Sequence, residues 1–254
     1  MRIDGLSEIA DDFDGMLIDQ FGVIHDGERL YPGTLRILSE LKARNIHVAV
    51  MTNSGKRAAA NRERLVGMGV PREHFADAVS SGEVAFRSLK VKRAFLIGKR
   101  GEEYGFDGVE FVDDPSHAEV LLILGSNAPE TSLETYRRLF EGLTLPAICC
   151  NPDRLMLTRH GLQPAPGAIA HLYEEMGGTV TWIGKPYPAI YRHALALIGH
   201  PARVLCIGDS AEHDVAGGRA AGLSTLIVMT GVSAGLDPSN LEPKPDHWMQ
   251  EFAW

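Results

Sequence analysis

Two acidic residues stand directly after apolar runs that have the character of buried strands. Asp19 follows the run Gly15–Ile18 and precedes Gly22, and Asp209 follows the run Val204–Gly208. A carboxylate at the end of a buried strand is held by the sheet and points into the crevice at its carboxyl edge. Such a carboxylate can act as a nucleophile, and two of them from distant parts of the chain can converge on one divalent cation.

Other polar residues follow further predicted strands in the same manner. They are Thr52-Asn53-Ser54, Gly184-Lys185-Pro186 and, just beyond Asp209, Asp214. Each alone has an ordinary structural explanation, as a turn acid, a helix cap or a solvated lysine. Together they provide a nucleophile, hydroxyl and amide donors for an anion, a fixed cation and metal-binding carboxylates. This combination indicates phosphoryl transfer, in which catalysis is mainly positioning and neutralisation of charge.

The elements that must position these residues alternate along the chain. Short apolar runs predict strands at Met16–Ile18, His47–Met51, Phe95–Ile97, Val120–Leu124, Ala147–Cys150, Val180–Ile183, Val204–Ile207 and Leu226–Met229. Amphipathic stretches predict helices at Thr34–Ala43, Lys56–Met68, Ser81–Leu89, Ser132–Glu141, Ala168–Met176, Ala189–Ile198 and Ala211–Ala221. The alternation predicts βαβ units, a mostly parallel α/β sheet and chemistry at the carboxyl ends of its strands.

The middle of the chain has strands and helices of its own but fewer candidate chemical groups than its flanks. We therefore predict an α/β domain inserted at residues 91–170, and a core domain formed by residues 1–90 and 171–254. An insertion of about 80 residues is long enough for a small domain. The closing segment Pro243–Trp254 is rich in aromatic residues and is predicted to pack back onto the core.

Composition and charge argue against several classes of protein. With 44% hydrophobic and 23% charged residues among 254, the chain has the profile of a soluble globular protein. Its net charge of −8 and its lack of long basic runs argue against nucleic-acid and anionic membrane partners. No apolar run reaches the length of a membrane span, and the first residues lack the apolar part of an export signal. We expect the three cysteines to be buried, reduced thiols and the protein to be cytoplasmic.

The order of these motifs resembles that of the haloacid dehalogenase-like (HAD) superfamily, over nearly the whole chain. It is most similar to the class IIA capped phosphatases, which include p-nitrophenyl phosphatase-like and nucleotide or sugar phosphatases. Asp19 matches the nucleophile of the first motif, Thr52 the second, Lys185 in Gly-Lys-Pro the third, and Asp209 and Asp214 the fourth. The resemblance implies a Rossmannoid parallel-sheet core with a class II cap domain between the second and third motifs.

The resemblance also implies a metal and a set of roles. Asp19, Asp209 and the backbone carbonyl of Phe21 would bind Mg²⁺, together with waters and a phosphate oxygen. Asp214 would be an outer ligand or would orient Lys185. Asp19 would attack phosphorus and form an aspartyl-phosphate, with Thr52 and Lys185 as the other catalytic residues. The implied partner is a small phosphorylated metabolite, such as a sugar phosphate or nucleotide, and a homodimer is the expected assembly.

Substrate contacts are predicted at two places. Asn53 and Ser54 follow the second motif, and Asn151 and Asp153 lie in a segment similar to a cap motif that approaches the substrate. Asn151 and Asp153 would recognise a hydroxylated ligand, although Asn-Pro-Asp also has the composition of a simple turn. Three basic residues follow that could meet an anion or line a solvated loop: Arg154, Arg159 and His160.

One position departs from the resembling family. HAD phosphatases usually place a second Asp two residues after the nucleophile, where it protonates the leaving oxygen and later activates water; here the residue is Phe21. Loss of a general acid or base typically removes about 10²- to 10⁴-fold in rate. Turnover should therefore be slow and should favour leaving groups that need little protonation, such as aryl, acyl or anomeric phosphates. His25 is the nearby candidate for a replacement, against the simpler interpretation of a solvent-exposed loop histidine.

Two other functions stay open on the sequence. A metal-independent haloacid dehalogenase also uses the Asp nucleophile and carries an aromatic residue two positions later, as Asp19 and Phe21 do. Against it, Asp209 is an acid suited to Mg²⁺, for which a carbon–halogen displacement has no need. A catalytically weakened protein that binds a phosphometabolite and regulates another process is the third possibility. Intact Asp19, Lys185 and Asp209 oppose that interpretation.

Overall fold

The computed structural model describes residues 1–158 and 160–254, so Arg159 lies outside the described residues. The strands are β1 (Gly15–Asp19), β2 (His47–Thr52), β3 (Ala78–Ser80), β4 (Arg93–Ile97), β5 (Glu110–Phe111), β6 (Val120–Ile123), β7 (Ala147–Cys149), β8 (Leu155–Thr158), β9 (Gly161–Pro164), β10 (Val180–Trp182), β11 (Val204–Gly208), β12 (Ser224–Val228) and β13 (His247–Met249). The α-helices are α1 (Thr34–Ala43), α2 (Ala58–Gly67), α3 (Ser81–Ser88), α4 (Leu133–Phe140), α5 (Pro166–Glu175), α6 (Pro188–Leu197) and α7 (Ala216–Ala220).

The described residues form two compact units, each with its own sheet. The first contains residues 1–52, 58–79 and 185–254, and the second contains residues 53–57 and 80–184. The second unit begins before residue 91 and ends after residue 170, so the predicted bounds were too narrow. Its helix α3 and strand β10 had been assigned to the core, but β10 pairs with β7 of the second sheet. A boundary drawn from the density of chemical groups misses such pairings because they join residues distant in sequence.

The sheet of the first unit has the strand order β13–β12–β11–β1–β2–β3. Strand β1 runs parallel to both neighbours, with Leu17 opposite Ala49 of β2 and Cys206 of β11. All residues of β1 and β11 are buried, which explains why each reads as a continuous apolar run rather than an alternating one. Because β1 lies in the middle, the carboxyl ends of β2, β1 and β11 meet at one edge of the sheet.

The sheet of the second unit has the order β10–β7–β6–β4–β5, with parallel pairings. A separate antiparallel hairpin joins β8 to β9. The core of this unit is apolar and aromatic; buried members include Ile123, Tyr136, Phe140, Ile169 and Tyr173. Arg154 and His160, at the hairpin, are exposed.

The predicted elements agree well with the structure, and the predicted α/β class with a parallel-sheet core is confirmed. Each of the eight predicted strands is present, and α1 has the predicted bounds. Strands β3, β5, β8, β9 and β13, each two to four residues long, were not predicted. The predicted helix at Ala211–Ala221 is a π-helical turn, Ala211–Val215, followed by α7. Strand β13 confirms that the closing segment packs on the core, since it pairs with β12.

Two further expectations from composition can be compared with the structure. Cys149, Cys150 and Cys206 are free and buried, as predicted. Over the part of the chain that the structure describes, no helix has both the length and the apolar character that a membrane crossing requires.

Candidate active site

Three predicted acids converge at the carboxyl edge of the first unit's sheet. Asp19 is the last residue of β1, Asp209 follows β11, and Asp214 lies in the π-helical turn. All three are buried, and a carboxylate oxygen from each lies within 4.8 Å of those of the other two. The parallel register places Ile18 opposite Ile207, so the residues that follow in both strands emerge side by side.

Lys185 lies between two of these acids. Its Nζ is 2.7 Å from Oδ1 of Asp19 and 2.7 Å from Oδ1 of Asp214, and the side chain is buried. Burial alone would lower the pKa of Lys185, but the carboxylates of Asp19 and Asp214 outweigh burial and raise this pKa. Lys185 is therefore a fixed cation, and its contact with Asp214 corresponds to the second of the two roles predicted for that acid.

Local structure brings Asp214 into this position. The backbone N–H of Ser210 donates to Oδ2 of Asp214 (3.2 Å), and the Ser210 hydroxyl accepts from the N–H of His213 (3.2 Å) at the start of the π-helical turn. Gly208 leaves room for the carboxylate, because a Cβ at this residue would lie 1.9 Å from Cγ of Asp214. The requirement for glycine in Gly208-Asp209 therefore comes from a side chain six residues later.

The net charge of the three acids and Lys185 indicates whether the site suits a divalent cation. The three carboxylates and one ammonium leave a formal charge of −2 in a buried site. Burial raises the pKa of Asp19, with Asp214 and Asp209 adding to the rise and Lys185 opposing it. Burial, and then the charge of Asp214, raise the pKa of Asp209 to about 6. Oxygen donors with this excess of negative charge suit a hard divalent cation, so the residues fit the metal that the family implies.

Thr52 ends the strand beside Asp19. It is the last residue of β2, where Asp19 pairs with Met51, and its side chain is buried. The neighbouring strand therefore delivers a hydroxyl to the same edge of the sheet as the acids. The role of Thr52 in binding an anion stays a prediction.

Phe21 has a partly exposed ring, and the glycine that follows it lies beside Asp209. The side chain is 53% exposed, and its ring packs on Gly27 and meets the His25 imidazole edge-on at 5.9 Å between centroids. Gly22, with a φ of 90°, lies so near Asp209 that a Cβ would come within 2.1 Å of Oδ2. The chain segment that was predicted to offer a carbonyl to the metal thus runs alongside Asp209, one of the acids predicted to bind that metal.

His25 is buried, so the prediction of a solvent-exposed loop histidine is wrong. Its Nδ1 accepts the backbone N–H of Gly27 (2.9 Å), and its Nε2 is buried without a hydrogen-bond partner among the described residues. Burial lowers the pKa of His25 to about 4, and the charge of Arg64 adds to this effect. An imidazole with this pKa is neutral at neutral pH and has no ionising proton to give to a leaving group.

The buried imidazole makes a testable contribution to acid sensitivity. The unfolded chain takes up a proton at the ordinary pKa of 6.5 but the folded protein only at about 4. The free energy of unfolding should therefore fall as the pH drops through this range, by roughly 2 kcal/mol at pH 5 relative to pH 7.5. Denaturant unfolding at both pH values should show a smaller fall in His25→Asn, whose amide oxygen can accept the Gly27 N–H. An equal fall in the free energy of unfolding in the wild type and in His25→Asn would contradict the lowered pKa of His25.

Two predicted substrate-binding residues, Asn53 and Asp153, meet within the second unit. Nδ2 of Asn53 donates to Oδ1 of Asp153 (3.2 Å), although the two residues are 100 positions apart. The hydroxyl of Ser81 donates to Oδ1 of Asn53 (3.4 Å). A Cβ at Gly184 would lie 2.8 Å from Oδ1 of Asn53 and 2.7 Å from the Ser81 hydroxyl. The structure thus places Asn53 and Asp153 together, with two residues, Ser81 and Gly184, that sequence reasoning had not connected to them.

The other two predicted substrate-binding residues support local turns. Oδ1 of Asn151 accepts the backbone N–H of Asp153 (2.9 Å), which is the simple turn that the sequence left open. The hydroxyl of Ser54 accepts the backbone N–H of Lys56 (3.2 Å). The side chains of Asn151 and Ser54 therefore accept hydrogen bonds from the backbone nearby and stabilise the turns next to Asp153 and Asn53.

Comparison with families of known proteins supports the resemblance on which these roles rest. Residues 16–112 match a family model described as haloacid dehalogenase-like hydrolase, and residues 182–254 match a second, described as HAD-hydrolase-like. The first match contains Asp19 and Thr52, and the second contains Lys185, Asp209 and Asp214. Each motif-bearing part of the chain is therefore matched by a model of the same superfamily.

Relatives extend the similarity over almost the whole chain. It is 28% identical over 248 residues to a dihydroxyacetone phosphatase of Corynebacterium glutamicum, covering 93% of this chain and 88% of that protein. A haloacid dehalogenase-like hydrolase of Brucella suis superimposes with a TM-score of 0.87 and 27% identity, over 99% of this chain and 100% of that one. A glycerol phosphate phosphatase of Mycobacterium tuberculosis, in complex with magnesium, superimposes with a TM-score of 0.73 and 26% identity. The superposition covers 96% of this chain and 76% of that one.

The matches, the sheet order and the cluster of acids agree with one another. The parallel sheet of the first unit agrees with the predicted fold class, and Asp19, Lys185 and Asp209 lie together at its carboxyl edge. The chain belongs to the haloacid dehalogenase-like hydrolases, in their class IIA capped branch.

Proposed function

We propose that the protein is a Mg²⁺-dependent phosphatase of a small phosphorylated metabolite. The observation that carries this proposal is the placement of Lys185 between Asp19 and Asp214, beside buried Asp209. A fixed ammonium next to a buried carboxylate nucleophile gives the charge neutralisation that phosphoryl transfer requires. A protein that only binds a phosphorylated ligand has no need of such a nucleophile.

The names of the relatives support the same chemistry. One acts on dihydroxyacetone phosphate and another on glycerol phosphate, and the second has been crystallised with magnesium. Both names describe phosphate esters of small hydroxylated carbon chains. By analogy we assign this chain a substrate of that class, a sugar phosphate or nucleotide included, with Asn53 and Asp153 as the pair that binds its hydroxyl groups.

In the reaction, one carboxylate oxygen of Asp19 attacks phosphorus as the bond to the leaving oxygen breaks. The leaving oxygen takes a proton from water, because Phe21 has none to offer. Water then attacks phosphorus, the bond to Asp19 breaks, and inorganic phosphate leaves with the carboxylate restored. Lys185 and Thr52 stabilise the negative charge of the phosphoryl oxygens through both steps.

The metal would be held by residues of the first unit. Asp19, Asp209 and the Phe21 carbonyl would supply oxygen ligands, and Asp214 would hold Lys185 in place. When bound, Mg²⁺ would neutralise negative charge on the phosphoryl oxygens. An all-oxygen donor set without a thiolate or imidazole favours Mg²⁺ over Zn²⁺ or Cu²⁺.

Metal removal tests the proposal directly. We expect EDTA to reduce hydrolysis of a panel of phosphate esters to background, and added Mg²⁺ to restore it, as measured by release of inorganic phosphate. Full activity in EDTA, together with halide release from 2-haloacids, would instead support the dehalogenase alternative. Tight binding of phosphate esters without phosphate release, with or without Mg²⁺, would support the regulatory alternative.

A further inference from the structure

The loop Thr230–Ser233, which follows β12, holds Asp209 at two points. We call it the 230–233 loop. The backbone N–H of Val232 donates to Oδ2 of Asp209 (2.8 Å), and the hydroxyl of Ser233 donates to the backbone carbonyl of Asp209 (2.6 Å). The Val232 side chain is 67% exposed, so its backbone rather than its side chain contacts the acid. Both ends of Asp209, side chain and main chain, are therefore held by one short segment.

Two glycines from different loops enclose the same carboxylate oxygen. A Cβ at Gly231 would lie 1.8 Å from Oδ2 of Asp209, and a Cβ at Gly22 would lie 2.1 Å from that atom. The two glycines also approach each other, since a Cβ added at Gly231 would lie 2.8 Å from Cα of Gly22. The hydroxyl of Thr230 donates to the Gly22 carbonyl. The 230–233 loop and the segment after β1 are thus packed together around Oδ2.

We propose that the 230–233 loop is a positioning device for the metal-binding carboxylate. By binding and enclosing Oδ2, it leaves Oδ1 as the oxygen of Asp209 that meets a cation. Through Thr230 it also fixes the Phe21–Gly22 segment relative to that oxygen. Residues that orient a metal-binding carboxylate typically affect metal affinity by about 10- to 100-fold. The inference rests on the metal of the proposed function, and it adds residues that do not themselves touch the metal.

Two glycines in this region allow a matched test. Gly231 and Gly235 both have a positive φ, 49° and 77°, so alanine strains the backbone at either. Only at Gly231 would the new methyl group meet Asp209, because a Cβ at Gly235 has no atom of the described residues within 4 Å apart from those of its chain neighbours. Mn²⁺ serves as the probe, titrated calorimetrically into the metal-free full-length protein. We expect Gly231→Ala to weaken Mn²⁺ binding at least about 10-fold, and Gly235→Ala to change it less than about threefold.

A second pair of variants avoids any question of backbone strain. Thr230→Val removes the hydroxyl that binds the Gly22 carbonyl and preserves the volume, whereas Thr230→Ser keeps the hydroxyl. We expect Mn²⁺ affinity to fall roughly 10-fold in Thr230→Val and to be retained in Thr230→Ser. If Gly231→Ala does not fold, this pair decides the matter. Thermal unfolding without metal verifies the fold of each variant.

The outcomes separate the inference from the proposed function. Equal Mn²⁺ affinity in Gly231→Ala and Gly235→Ala, or in Thr230→Val and Thr230→Ser, would overturn the positioning role while wild-type binding supports the metal site. Absence of Mn²⁺ binding to the wild type would overturn both the metal site and the positioning role.

Discussion

Replacement of Asp19 by asparagine should abolish turnover. The amide has nearly the same shape and can still accept the backbone N–H of Gln20, which donates to Oδ1 of Asp19 at 2.7 Å. It lacks the negative charge and nucleophilicity needed to attack phosphorus, so no covalent intermediate can form. We expect the rate of phosphate release to fall on the order of 10⁴-fold or more. Wild-type protein treated with beryllofluoride should carry a modification on Asp19 that Asp19→Asn does not.

A nearby acid offers a control for this substitution. Asp14 stands just before β1, is partly exposed and forms an ion pair with Arg203 at 2.8 Å, away from the buried acids. Asp14→Asn makes the same chemical change and should leave turnover unaltered. Retention of substantial activity in Asp19→Asn would show that another group attacks phosphorus, and the proposed reaction would then be wrong.

Introduction of a carboxylate at position 21 should accelerate hydrolysis of alkyl phosphates. Phe21→Asp restores an acid where related phosphatases carry one, and the 53% exposure of Phe21 leaves room for a polar side chain. The hydrolysis rate of the wild type should depend steeply on the pKa of the leaving group, because the protein does not protonate the departing oxygen. We expect Phe21→Asp to flatten this dependence and to raise turnover of alkyl phosphates by about 10²-fold. Rates on a series of esters with different leaving groups measure both effects.

The matched control for this gain is Phe21→Asn, which removes the ring without adding an ionisable group. Equal gains in Phe21→Asp and Phe21→Asn would show that the ring obstructs the substrate rather than that an acid is missing. No gain in either variant would mean that the surroundings of position 21 have diverged as well. A wild type that turns over alkyl and aryl phosphates equally well would contradict the idea that the missing acid limits the rate.

Local sequence patterns predicted most of the elements because burial and periodicity are local properties. Strands β1 and β11 lie in the centre of the first sheet and are buried throughout, so their apolar runs were unmistakable. The hairpin β8–β9 was not predicted, since Leu155 and Leu162, one on each strand, are exposed apolar residues. The bounds of the inserted unit also escaped prediction, because they depend on which sheet β10 joins.

Some features of the candidate site could likewise be predicted from the sequence, and others could not. The acids at strand ends and the lysine of Gly-Lys-Pro could be named in advance, because parallel strands bring their carboxyl ends to one edge. The burial of His25 could not be predicted, because polar composition suggested a solvated loop and only packing around Gly27 and Phe21 reveals otherwise. Asn53 and Asp153 were both candidates, but their contact joins positions far apart in the chain.

By itself, the sequence determined the kinds of chemical group, their order and the strands that carry them, since neighbouring residues decide these features. Tertiary structure alone decided which oxygen of Asp209 is enclosed by Gly22 and Gly231, and that Lys185 lies between Asp19 and Asp214. Distances of a few ångströms between segments about 20 to 200 residues apart depend on how whole strands and loops pack, and no local pattern encodes such packing.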